Sequence, residues 1–174
     1  MTSINSKNIF LDRDGVINEV IIRDGVISSP RSFNQFKYRE DFLEFRNKII
    51  SNQNFFVVTN QPDISRKLLR KEDLEKMHHK IQTENTFITE IVACIHDDHQ
   101  KCNCRKPKPG MIHSLIKKHN LDYSSCLLIG DSIKDIQAAK SAGIDYYLLE
   151  TEYNSHVKTD KKIKSLASLF SNAQ

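Results

Sequence analysis

The sequence predicts a three-layer α/β domain built on a mainly parallel sheet. Three observations carry that prediction. Short apolar runs alternate with stretches of helical spacing, as in strands joined by crossover helices. Three of those runs end abruptly in polar clusters, at Asp12-Arg13-Asp14, Thr59-Asn60-Gln61 and Gly130-Asp131-Ser132. Parallel sheets bind ligands beyond the carboxyl ends of their strands, where such clusters belong. Finally, 174 residues suit one domain with a real core, spanning 1–174, and no insertion is long enough for a large cap domain.

Residues 8–12 read as a short buried strand. Two apolar runs then flank Asp24-Gly25, a hairpin signal that predicts a small flap beside the end of that strand. Phe42, Phe45 and Ile49 have helical spacing within 39–52, with acidic residues early. Asn54 to Asn60 is a second buried strand, and Leu74, Met77 and Ile81 mark a helix within 66–85. A third strand lies at 89–96, followed by a polar, Cys- and Pro-rich loop that runs to about 109. Pro109 opens a helix, residues 125–131 form a strand, and Gly143 closes the helix after it. Residues 144–150 are the last strand expected. The tail, about 151–174, is polar apart from an amphipathic stretch from Ile163 to Phe170.

Hydrophobic residues make up 39% and charged residues 28%, the balance of an ordinary globular protein. A net charge of +4 suits an anionic ligand without marking a nucleic-acid binder. No apolar run approaches the length of a membrane span, and the polar start shows no secretory signal. A cytoplasmic protein is therefore expected, a monomer with neither nucleic acid nor membrane as partner.

The chemistry starts at Asp12 and Asp14. Residues two apart on a strand point the same way, so both carboxylates can face one site. With Asp131 they make a hard-oxygen site suited to Mg²⁺, although Asp14-Gly15 would also make an ordinary turn. Arg13 is expected to point away, into a structural ion pair. Thr59 can hold a phosphoryl oxygen or simply end a strand. Arg105 and Lys106 offer a guanidinium and an ammonium side by side, or a solvated basic loop. Asp135 favours a helix N-terminus. Cys94, His96, Cys102 and Cys104 can close a tetrahedral zinc shell, with His99 as a substitute ligand and reactive thiols as the alternative. Cys126 reads as core.

The order Asp-x-Asp-Gly, Thr-Asn, Lys, Gly-Asp-x-x-x-Asp resembles the haloacid dehalogenase superfamily of phosphotransferases from about Asn8 to Leu149. The resemblance implies a Rossmann-like fold, Asp12 as nucleophile and Asp14 as general acid and base. It implies Mg²⁺ held by Asp12, the backbone carbonyl of Asp14 and Asp131, with Thr59, Asn60 and Lys106 at the phosphoryl group. The run "CNCRKPKPG" after His96 is similar to the zinc-containing branch, which includes heptose bisphosphate and histidinol-phosphate phosphatases. There the zinc stiffens the loop that aims Arg105 and Lys106 at substrate. Val16, Pro62-Asp63 and Ser132 depart from that pattern, in loops expected to meet the leaving group.

The expectation is thus a phosphatase that uses Mg²⁺ and Zn²⁺ and acts on a small phosphorylated sugar. The favoured substrate is D-glycero-D-manno-heptose 1,7-bisphosphate, losing its C7 phosphate for surface polysaccharide. Histidinol phosphate is the alternative substrate, and a zinc-dependent nucleic-acid module or an inactive scaffold the alternatives in kind.

Overall fold

A computed structural model describes residues 6–49 and 52–169. Six strands form one parallel sheet around β1 (Asn8–Leu11). β4 (Asn54–Asn60) lies on one side of it and β6 (Cys126–Gly130) on the other, with Ile9 in register with Phe55 and Leu127. β5 (Ile88–Cys94) lies outside β4, and β7 (Asp145–Leu149) outside β6. All contacts between these strands are parallel, as expected.

The alternation of side chains along β1 divides the core in two. Ile9 and Leu11 face Phe42 and Phe45 of α1 (Glu40–Lys48) and Ile81 of α2 (Lys71–Glu84). Phe10 faces the other way, onto Met111 and Leu115 of α3 (Gly110–His119) and Ala138 and Ala139 of α4 (Ile133–Ala142). Strands buried on both faces leave no surface for polar side chains, so polarity appears only where the chain leaves the sheet. Gly143, at φ +72°, closes α4 in the left-handed conformation a helix C-terminus favours.

The expected flap is present: β2 (Ile21–Arg23) pairs antiparallel with β3 (Val26–Ser28). Asp24 and Gly25 turn the hairpin at φ +49° and +73°, the two positive angles of a type I′ turn.

The tail differs from expectation. Residues 162–163 form an edge strand, β8 (Lys162–Ile163), parallel to β7. A helical turn, α5 (Leu166–Leu169), packs Leu166 and Leu169 onto the α1 side of the core. A two-residue strand gives no periodicity to read, which is why it was invisible in the sequence. The ends of two expected elements, residues 50 and 51 and Phe170, lie outside the described residues. Among the described residues, no helix is long and apolar enough to cross a membrane.

Candidate active site

Strand order reverses at β1, since β4 and β6 flank it from opposite sides. Such a switch point opens a crevice at the carboxyl ends of the strands. A cavity of about 740 Å³ occupies that position, lined by Asp12, Asp14, Thr59, Asn60, Lys106 and Asp131 among others. Its volume is that of a small-molecule site.

Asp12 follows β1 directly, and its N–H donates to the Ile129 carbonyl at 2.9 Å, extending the sheet by one residue. Lys106 reaches the same point from the loop before α3. Its Nζ lies 2.8 Å from Asp12 Oδ1 and 2.6 Å from Asp135 Oδ1, and donates to the Val58 carbonyl at 2.9 Å. Burial works against the Lys106 charge, but Asp12 and Asp135 outweigh it and hold the pKa above the ordinary lysine value. Asn60 fixes the Lys106 backbone from both ends: its Nδ2 donates to the Lys106 carbonyl at 2.9 Å and its Oδ1 accepts from the Lys106 N–H at 3.0 Å. The Asn60 amide therefore positions Lys106. Thr59 is buried and accepts from Gln61 Nε2 at 2.9 Å.

Asp135 does more than favour its helix N-terminus. Its Oδ2 caps α4, accepting from Ser132 N and Oγ, while its Oδ1 meets Lys106. Gly130 makes room for it, because a Cβ there would lie 2.3 Å from the Asp135 Cβ. Asp12, Asp131 and Asp135 each offer an oxygen, all within 4.8 Å of one another. Burial, opposed by Lys106 and reinforced by Asp135 and Asp131, holds Asp12 well above the usual carboxylate range. Burial and then the charge of Asp135 push Asp131 up to about 7, against the pull of Tyr153 and Lys106. Three buried carboxylates share one ammonium, and the excess negative charge fits a hard divalent cation.

Asp14 lies at the same cavity in a different environment. Arg13 forms the buried ion pair expected of it, but with Asp14 itself: Nη2 and Nε approach Asp14 Oδ1 at 2.8 and 3.1 Å. Asn18 donates to Oδ1 at 2.9 Å, and Ser29 and Gln61 donate to Oδ2 at 2.8 and 2.7 Å. Against burial, Arg13 and these donors hold the carboxyl below its usual range.

Arg13 is fully buried, and its Nη1 stands 3.2 Å from His78 Nε2 of α2. A guanidinium can only donate, so His78 accepts as the neutral ring. Burial, then the Arg13 charge, lowers the His78 pKa to about 3. The unfolded chain therefore binds more protons than the folded one between pH 6.5 and about 3, and stability falls as pH falls through that window. From pH 7 to pH 5 this one group should remove about 2 kcal/mol. Denaturant melts of the wild type and His78→Leu at both pH values test it: the variant should show a slope flatter by that amount. Equal slopes would refute the assignment.

The cysteine loop closes on itself as expected. Cys94 ends β5, and His96, Cys102 and Cys104 return to it. Cys94 Sγ lies 3.6 Å from both His96 Nδ1 and Cys102 Sγ, and Cys104 Sγ lies 3.1–3.4 Å from the other three ligand atoms. These separations exceed a disulfide bond and approach the roughly 3.5–3.8 Å edges of a tetrahedron around Zn²⁺. All four cysteines are free, and His99 is exposed, outside the cluster. Arg105 follows the last ligand; its Nε donates to Asp98 Oδ1 at 2.7 Å, and its side chain lines the cavity.

Ser29, His78, Tyr153 and Asn154 also belong to this constellation and were not singled out in the sequence, while Gln61 stood in the polar cluster after β4 without a role of its own. Asp135 had a signal, its spacing of four from Asp131 at the start of a helix.

Residues 103–169 match the profile of the HAD-hydrolase-like family. The D-glycero-beta-D-manno-heptose-1,7-bisphosphate 7-phosphatase of Neisseria meningitidis is 38% identical over 141 residues, covering 79% of this chain and 73% of that protein. The D-glycero-alpha-D-manno-heptose-1,7-bisphosphate 7-phosphatase of Campylobacter jejuni is 30% identical over 171 residues, covering 95% of each. Among solved structures, the D,D-heptose 1,7-bisphosphate phosphatase of B. bronchiseptica, complexed with magnesium and phosphate, superposes with a TM-score of 0.81. It is 25% identical, covering 95% of this chain and 96% of that one.

Proposed function

Since the chain belongs to the heptose-1,7-bisphosphate 7-phosphatase family of HAD-like hydrolases, we propose that it removes the C7 phosphate of D-glycero-D-manno-heptose 1,7-bisphosphate. The observation that carries this reading is the buried cluster in which Lys106 joins Asp12 to Asp135 beside Asp131, under a cavity open to solvent. Phosphoryl transfer depends mainly on positioning and charge neutralisation, and this cluster supplies both.

In the proposed reaction an Asp12 carboxylate oxygen attacks phosphorus while the bond to the sugar oxygen breaks. Asp14, protonated for this step, gives its proton to the departing oxygen. Water then attacks phosphorus, Asp14 takes a proton from it, and the acyl-phosphate bond to Asp12 breaks to release phosphate. For the first step Asp14 must exchange its contact with Arg13 for the leaving group, because Arg13 favours the ionised form. Lys106 and Thr59, at the end of β4, hold the phosphoryl oxygens, with Asn60 fixing the Lys106 backbone. Asp12, Asp131 and the Asp14 carbonyl would hold Mg²⁺, which when bound neutralises charge on the phosphoryl group. Cys94, His96, Cys102 and Cys104 would hold Zn²⁺ as a structural ion.

A bisphosphate carries a second anion away from the reacting one. Arg23, Arg31, Arg66, Arg105 and Lys134 line the cavity mouth and suit it. The reading is of a monomeric enzyme working as a single domain, with neither nucleic acid nor membrane as partner. Four unbridged cysteines suit the reducing cytoplasm.

The test is phosphate release with Mg²⁺ from both anomers of heptose 1,7-bisphosphate and from histidinol phosphate. Preferential turnover of a heptose anomer supports the reading. Preference for histidinol phosphate would keep the chemistry and replace the substrate.

A further inference from the structure

Residues 151–154, at the start of the polar tail, return to the carboxylates of the site. Tyr153 Oη donates a short hydrogen bond to Asp131 Oδ2. The next residue, Asn154, is buried, and its Nδ2 donates to the Asp131 carbonyl at 2.7 Å and to the Leu149 carbonyl at 2.8 Å. Its Oδ1 accepts from the Thr151 N–H at 3.0 Å, so the turn that carries Tyr153 is itself fixed. Gly15 completes the arrangement from the opposite side. A Cβ there would lie 1.9 Å from Asp131 Oδ2 and 2.5 Å from Tyr153 Oη. Asp131 is thus gripped at its carbonyl by Asn154 and at one carboxylate oxygen by Tyr153.

We propose that Tyr153 is a positioning residue for Mg²⁺ binding: by occupying Asp131 Oδ2 it leaves Oδ1 as the oxygen presented to the cation. The inference rests on the reading of Asp131 as a magnesium ligand given above. A carboxylate free to rotate offers a cation either oxygen or both, whereas one fixed by an outer donor is pre-oriented. Tyr153 also lines the cavity, so the same side chain borders the space where substrate binds.

Calorimetric titration of the full chain with MgCl₂ tests the inference, wild type against Tyr153→Phe, which removes one hydroxyl. The dissociation constant should weaken about tenfold in the variant, the scale on which outer partners act on metal affinity. The Mg²⁺ concentration for half-maximal activity should rise by the same factor, with kcat at saturating Mg²⁺ retained within about threefold. A measurement that needs no variant is the Tyr153 ring resonance of the wild type, which should shift on MgCl₂ titration with the calorimetric midpoint. Equal affinities in the two proteins, or a ring signal indifferent to Mg²⁺, would overturn the inference and leave Asp131 as a ligand. A wild type that binds no Mg²⁺ would overturn the reading of the site as well.

Discussion

Asp12→Asn should reduce phosphate release to below roughly one ten-thousandth of wild type, because an amide can neither attack phosphorus nor leave as a carboxylate. The structure separates this loss from any loss of fold. Asp12 is one of three buried carboxylates around Lys106, and its pKa stands well above the usual range because burial and its like-charged neighbours oppose ionisation. Neutralising it relieves that repulsion, while Lys106 keeps Asp135 at 2.6 Å and the Val58 carbonyl at 2.9 Å. Without metal the variant should therefore melt no lower than the wild type. Asp14→Asn should behave differently: loss of a general acid costs about 10²–10⁴-fold. It also leaves Arg13 buried without its carboxylate, so this variant should lose stability as well. Rates and thermal melts of the two variants decide the matter. Asp12→Asn retaining a tenth of wild-type turnover would remove Asp12 from the role of nucleophile.

The parts of this site legible in the sequence share a physical cause. A strand buried on both faces has no room for the charges of Asp12, Asp14 or Asp131 inside the sheet, and Thr59 sits next to the last residue of β4. Their position at the ends of apolar runs therefore announced a place where the chain leaves the core for a purpose. The cysteine loop was legible because its four candidate ligands, three cysteines and one histidine, fall within eleven residues, from Cys94 to Cys104. What could not be read were partners distant in sequence. His78 reaches Arg13 from α2, 65 positions away, and Gln61 reaches Asp14 across 47. Tyr153 reaches Asp131 only because β7 returns the chain to the same edge of the site. The buried ion pair of Arg13 was expected, but its partner was not legible for a local reason: alternation along a strand ends at Gly15, where φ is +81°, and the turn brings neighbouring side chains together.

Ion pairs tie the segment after the flap, the cysteine loop and the 61–69 segment to one another. Arg66 joins two of these pieces, with both ends of its guanidinium on Asp97 at 2.7 Å and Nη1 3.4 Å from Asp63. Arg31, just after the flap, meets the same Asp63 at 2.7 Å. Asp63 thus supplies the carboxylate on which two cavity-lining arginines converge.

Removing zinc should disable the enzyme without touching the residues that react. The loop from Cys94 to Cys104 has little apolar surface of its own: Ile95 is 41% exposed, and Cys102 and Cys104 pack only partly against the α3 side of the core. Its shape depends on four ligand atoms brought together, which without a metal is unfavourable. Burial pushes the Cys94 thiol up to about 12, so the apo cluster must stay partly protonated and loses the charge attraction that a cation provides. Lys106 stands two residues beyond the last ligand, and Asn60, the Val58 carbonyl and the two carboxylates would remain to hold it. A zinc-selective chelator should therefore lower the melting temperature by about 10 °C, corresponding to a loss of about 3–5 kcal/mol in a chain of this size. It should also lower kcat/KM by about 100-fold in the presence of saturating Mg²⁺, with recovery on adding Zn²⁺ but not more Mg²⁺. Cys104→Ser should reproduce both effects, and elemental analysis should find one zinc per wild-type chain. A chelated protein with unchanged melting and unchanged turnover would show that the loop holds Arg105 and Lys106 through its ion pairs alone.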